Sequence, residues 1–85
     1  MNMIPAMKQH AKGKSRHPGM VVLLRVGDFF ETFGGDAVAV SLATDKTVVR
    51  RGDFLMIGFP VAKLREYLTK LLKKGHKNAL LDLTN

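Results

Sequence analysis

Eighty-five residues with fourteen Lys and Arg against seven Asp and Glu carry a formal net charge of +7, on a chain that is 46% hydrophobic and has no cysteine. That size and apolar content describe one folded domain over residues 1–85; they exclude a second core, a large enclosed catalytic cleft and wholesale disorder. The missing cysteines exclude disulfides, thiolate catalysis and cysteine-based metal sites, and the positive field attracts polyanions, nucleic acid first among them, although an anionic membrane surface answers to the same charge.

Met1 to Met7 is too short and mixed, and Lys8 to Arg16 too polar, to be a secretory leader. Pro5 suits the first turn of a helix, with Met7 and Ala11 on a narrow apolar face and Gly13 ending or fraying it. Lys8, Lys12, Lys14 and Arg16 give this segment four cations and no anion, so its outer side faces solvent or phosphate. Met20 to Val26 lacks alternation, as a strand buried on both faces does, and it runs on through Gly27 to Phe33. If the backbone stays extended past Gly27, where a bulge is the alternative, the two-residue period puts Arg25, Phe29, Glu31 and Phe33 on one face and Asp28, Phe30 and Thr32 on the other.

Asp36 to Ala43 reads as a short helix with Asp36 in its first turn or as its cap. Thr47 to Val49 and Phe54 to Phe59 read as a hairpin whose turn, Arg50 to Asp53, carries two arginines near its tip. Pro60 opens the strongest helix, with Val61, Leu64, Leu68, Leu71 and Leu72 at the helical period and Lys73, Lys74 and Gly75 as its stop; Ala79 to Leu83 is a last strand. The order α-β-α-β-β-α-β predicts an α/β fold, a mixed sheet packed with about three helices, whose core takes in Val22, Leu24, Val49, Ile57, Leu64, Leu68, Leu71 and Leu81. The longest run without a polar side chain, Phe54 to Ala62, is broken by Gly58 and Pro60 and is too short to cross a bilayer. A cytoplasmic protein without a membrane partner is expected.

The chemistry that is absent narrows the function. Neither Ser15 nor Ser41 stands in a nucleophile context, and His10, His17 and His76 read as surface histidines without a metal partner. Gly34-Gly35-Asp36 lacks the Gly-Lys-Ser/Thr ending of a nucleotide-hydrolase loop, and the opposite parity of Asp28 and Glu31 argues against a shared proton or metal. No enzyme, metal or cofactor is expected. What remains is binding: an exposed Phe29 beside cations stacks on a base, while a buried Phe29 joins Phe30 and Phe33 in the core, and Arg50 and Arg51 are divided between a solvated turn and phosphate contacts.

A resemblance weighs between these. Ile4-Pro5-Ala6-Met7-Lys8-Gln9, Lys14-Ser15-Arg16-His17-Pro18, Leu24-Arg25-Val26-Gly27-Asp28-Phe29-Phe30-Glu31-Thr32-Phe33, Arg50-Arg51-Gly52, Met56-Ile57-Gly58-Phe59-Pro60 and Tyr67-Leu68-Thr69-Lys70-Leu71 follow in an order that resembles the N-terminal mismatch-recognition domain of the MutS proteins, the DNA mismatch sensors. The Gly-Asp-Phe-aromatic-Glu stretch is the most specific part. The resemblance implies that Phe29 enters the minor groove and stacks on a mispaired or unpaired base, that Glu31 bonds to that base, and that double-stranded DNA and DNA-processing proteins are partners. Phe30 departs from the tyrosine usual beside the motif, and Val61-Ala62 stands where relatives frequently have Tyr-His. The resemblance further implies that a chain of this length lacks the connector, lever, clamp and ATPase domains, as a stand-alone relative or as a piece ending at Thr84-Asn85. Lys8, Lys12, Lys14, Arg16, Arg25, Arg50 and Arg51 are the candidate phosphate contacts, expected on one electropositive surface. A protein-interaction module that keeps the fold and packs Phe29 inside is the competing expectation.

Overall fold

Gly27 takes a φ of +62°, a conformation that a residue with a Cβ adopts only at a cost, and there the expected long strand turns back on itself. The computed structural model describes residues 4–83; Met1 to Met3, part of the segment read above for a leader, and the terminal Thr84-Asn85 lie outside the described residues. In it β1 (Met20–Val26) and β2 (Phe29–Phe33) form an antiparallel pair with Val26 opposite Phe29 and Leu24 opposite Glu31. The chain begins with α1 (Pro5–Arg16) before this pair. It continues through α2 (Gly34–Ala43), β3 (Val49–Arg51), β4 (Phe54–Pro60), a 3-10 turn (Val61–Lys63), α3 (Leu64–Lys73) and β5 (Lys77–Asp82).

The sheet order is β3-β4-β2-β1-β5, antiparallel throughout except for β5, which lies parallel to β1. This is the mixed α/β sheet with three helices that the pattern predicts, with one strand more. Side chains alternate across it. On one face Val21, Leu23, Phe30, Ile57 and Phe59 pack under α2 and α3 through Ala37, Val40, Tyr67 and Leu71, with Phe30 and Phe59 stacked at 5.8 Å and Phe59 tilted onto Tyr67 at 4.7 Å. On the other, Leu24 and Phe33 pack against Ala6 of α1, with Met7, Val26, Met56 and Leu81 at the margin.

Several expectations shift at this level. Gly13 does not end α1, which continues to Arg16; it is buried within the helix because a Cβ there would lie 2.6 Å from Leu81 Cδ1 and 3.1 Å from Val22 Cγ1, so its bare backbone sets how closely α1 approaches the sheet. Arg50 and Arg51 belong to β3, and only Gly52-Asp53 forms the turn. Pro60 closes β4, and a 3-10 turn intervenes before α3. Of the expected core, Val22, Leu24, Ile57 and Leu71 are buried and Leu64, Leu68 and Leu81 are partly so. Val49 is not in the core: it is 51% exposed, because β3 is a three-residue edge strand that no helix covers. Leu72 also points outward, and Tyr67 takes the fourth place on the inward stripe of α3 with Leu64, Leu68 and Leu71.

Candidate nucleic-acid interface

The turn at Gly27 mounts Phe29 as the first residue of the central strand, paired with Val26 on one side and Pro60 on the other. Both ladders fix its backbone, yet its side chain is 47% exposed, whereas its neighbours Phe30 and Phe33 are buried at 5% each. The three phenylalanines therefore divide: Phe30 anchors one core, Phe33 the other, and Phe29 contributes to neither. Glu31 stands two residues along β2 on the face of Phe29, half-buried, with Leu24 and Gly58 as its cross-strand partners. Among the described residues its carboxylate receives no hydrogen bond and no ion pair. An aromatic face and a carboxylate with no partner among the described residues thus stand side by side on a rigid strand, about 7 Å apart along the chain for two residues of rise.

The expected parity holds for Phe29, Glu31 and Phe33 and fails for Arg25. With the strand folded back at Gly27, Arg25 lies opposite Phe30 and belongs to the other face, and its Nε donates to the Gly27 carbonyl at 3.1 Å. The hairpin arginines part in the same way, since neighbours on a strand point to opposite sides. Arg51, opposite Phe54, lies on the Phe29 face; Arg50, opposite Leu55, lies on the other, its Nε donating to the Gly52 carbonyl at 3.3 Å. The α1 cations divide too. Lys8, Lys12 and Arg16 are exposed, and Lys12 and Arg16, with His17 and Asp82, line a cleft of about 300 Å³ between α1 and the sheet. Lys14 turns inward, its ammonium donating to the Met20 carbonyl and to Asp36 Oδ1 at 2.9 Å. The seven cations named from the sequence do not share one face; Arg51 and the exposed α1 cations stand on the side of Phe29, and Arg25 and Arg50 on the side of α2 and α3.

A polar network missed in the sequence holds α1 in place. His10 reads as a surface histidine but is only 7% exposed, and Asp36 only 8%. The β1–β2 ladder runs from Val26 to Leu24 and no further, leaving the backbone of Val22 to side chains. Its N–H donates to Asp36 Oδ2 at 2.9 Å and its carbonyl accepts from Thr32 Oγ1 at 2.9 Å. His10 Nε2 lies 3.0 Å from Asp36 Oδ2 and 3.3 Å from Thr32 Oγ1. The Thr32 hydrogen points to Val22, so the network assigns the ring proton to Nε2, donating to the carboxylate. Burial pushes the Asp36 carboxyl up, but the bonds from His10, Val22 and Lys14 outweigh it and hold the group below its ordinary value. Asp36 therefore remains charged and serves as the tie between α1, β1 and α2, rather than as a helix cap alone. The only advance signal was an acid three residues into a helix after Gly34-Gly35, which has too many other causes.

This sheet and its three helices belong to a known class. Residues 4–85 match the family model described as MutS domain I, and the chain belongs to that family. Proteins named DNA mismatch repair protein MutS are similar to it: that of Chlorobium chlorochromatii (strain CaD3) is 44% identical over 79 residues, covering 92% of this chain and 9% of the relative. That of Chlorobaculum tepidum is 43% identical over 83 residues, 92% of this chain and 10% of the relative. That of Thermotoga neapolitana is 39% identical over 82 residues, 96% of this chain and 10% of the relative. The chain spans about a tenth of the length of the curated relatives it matches. No helix among the described residues is long and apolar enough to cross a membrane.

Proposed function

We propose that this chain binds double-stranded DNA and recognises mismatched or distorted duplex by inserting Phe29 beside a base that Glu31 then contacts. The observation that carries the reading is the exposure of Phe29 on a strand whose other phenylalanines are buried, next to a carboxylate without a partner among the described residues. Stacking a base on an aromatic ring is worth about 1–3 kcal/mol, while unstacking an intact step costs a few kcal/mol. In paired duplex the cost exceeds the gain and the ring stays out. At a mismatch the step is already weak, the cost falls, and insertion becomes favourable. Glu31 adds a second filter: its charge is repelled by phosphate and offset only where a base offers a donor. The net charge of +7 supplies attraction that is indifferent to sequence and falls steeply with salt.

Titrations with mismatched and matched duplexes of equal length at equal salt test the reading. Phe29→Ala lowers mismatch binding by about 1–3 kcal/mol and matched binding far less. Glu31→Ala strengthens matched binding and weakens discrimination. A wild-type chain without preference, or a Phe29→Ala variant that keeps it, refutes the wedge. A second reading, an interaction module for DNA-processing proteins, draws on Leu42 of α2 and Leu72 of α3, which are 77% and 62% exposed; it gains if neither duplex is preferred.

A further inference from the structure

We propose that Gly58 is a specificity-determining residue of the Phe29 face: its bare backbone leaves the space in which the edge of a mispaired base lies against Glu31. The inference rests on the mismatch-binding reading above and names the part of the protein that admits the base. Gly58 sits in β4 directly opposite Glu31, one alternation from Pro60, which is opposite Phe29. Phe29, Glu31, Gly58 and Pro60 therefore occupy one patch of one face, with cross-strand neighbours about 5 Å apart.

A glycine within a strand weakens it, and two intramolecular causes commonly keep one there: a left-handed backbone, as at Gly27, or close packing, as at Gly13. Gly58 has neither. Its φ is not in the positive region, and a Cβ built on it would meet nothing closer than 3.9 Å, namely Glu31 Cγ and the Phe30 carbonyl oxygen. The fold has room for a Cβ and does not use it. What a side chain would occupy is the space beside the stem of Glu31, over β4 and between Met56 and Pro60. A planar base approaching Glu31 from the Phe29 side needs that space, because its edge must come within hydrogen-bond reach of a carboxylate that is itself half-buried. A glycine without an internal cause, facing an unpartnered carboxylate and an exposed ring, marks close approach by a ligand.

The test uses the full chain, with Gly58→Ala and Gly58→Val, and a short duplex carrying one G·T mismatch with its fully paired twin. Gly58→Ala keeps or raises the wild-type thermal midpoint, since its Cβ makes only ordinary van der Waals contacts; Gly58→Val is the larger probe, its own midpoint showing that it is folded, and the readout for both is the ratio of mismatched to paired affinity. The mismatch preference falls about five-fold or more for Ala and disappears for Val, as expected for loss of a good base contact. A folded Gly58→Val variant that keeps the full preference overturns the proposal. Phe29→Ala measured alongside separates the two ideas: preference lost there but intact in Gly58→Val removes the role of Gly58 and leaves the wedge, whereas a wild type without preference removes both. The wild-type chain gives a readout that needs no variant. Its Gly58 amide resonance shifts on adding the mismatched duplex and not on adding the paired twin, and equal shifts with both overturn the assignment.

Discussion

Replacing Asp36 with Ala strands one buried donor and takes the better acceptor from another, and the cost can be worked from the geometry. The carboxylate accepts from the Val22 N–H at 2.9 Å, from His10 Nε2 at 3.0 Å and from Lys14 Nζ at 2.9 Å. The Lys14 side chain is 38% exposed and returns to water at little cost. Val22 is fully buried and its N–H, left without a partner, costs about 1–3 kcal/mol, while His10, nearly as buried, loses its shorter bond and keeps only the contact to Thr32 Oγ1 at 3.3 Å. The expected loss is about 3 kcal/mol, against a total of about 4–13 kcal/mol for a domain of this length. The thermal midpoint falls by roughly 10–25 °C. Urea and thermal unfolding followed by far-ultraviolet circular dichroism read it. A loss below about 1 kcal/mol with an unchanged urea slope refutes the tie, because it means that water or another acceptor reaches Val22 and His10. Asp36→Asn keeps an acceptor for Val22 and loses the charge, so it falls between. The pH dependence has a definite sign: the folded-state pKa lies below the ordinary 3.8, so this group's contribution is fully present above that value and is lost as pH falls through the lowered folded value. Wild type and Asp36→Asn therefore begin to converge in stability as pH falls below 3.8 and converge fully only below the lowered folded value.

Leu71, fully buried on the inward stripe of α3, costs about 2–5 kcal/mol as Leu71→Ala, and the half-buried Leu68 costs less; equal losses in urea unfolding would show that α3 docks by a different stripe. Gly13→Val drives a side chain into Leu81 and Val22, so it destabilises the chain and frees α1, read as faster amide exchange in α1. Arg51→Glu weakens paired and mismatched duplex by similar factors and lowers the salt slope by about 1, while Arg50→Glu, on the opposite face, changes both much less. Equal effects of the two in a low-salt titration would place the DNA across the hairpin edge rather than on the Phe29 face.

Patterns that depend on one element were legible in the sequence, and patterns that depend on two elements meeting were not. The stripe on α3, the buried strand at Met20 to Val26 and the small helix after Gly35 follow from period alone. The reversal at Gly27 was visible only as an interruption, since the same glycine serves a bulge or a turn, and with that choice went the side on which Arg25 lies. Gly13 carries a helix-stop signature, and what keeps it inside α1 is a contact with Leu81, sixty-eight positions along the chain. His10 and Asp36 each look like ordinary surface residues; their burial depends on β2 leaving β1 early enough to expose the backbone of Val22. The Phe29 and Glu31 pairing was legible because both lie on one strand, whereas Gly58 completes that patch from a neighbour.

The parallel pairing of β1 with β5 also sets an order of assembly. Val26 meets Phe29 across a two-residue turn, but Met20 waits for Lys77, so the first ladder closes a short loop and the second a long one. Loop-closure entropy predicts that the hairpin carrying Phe29 forms before β5 docks. Helix α1 then seats Gly13 in the notch between Val22 and Leu81, one wall of which belongs to β5. Helix α1 rests mainly on β1 and β2 and on the Asp36 tie, so removing β5 would take away one wall of the Gly13 notch and loosen the cationic helix while leaving the aromatic hairpin and its ladders in place.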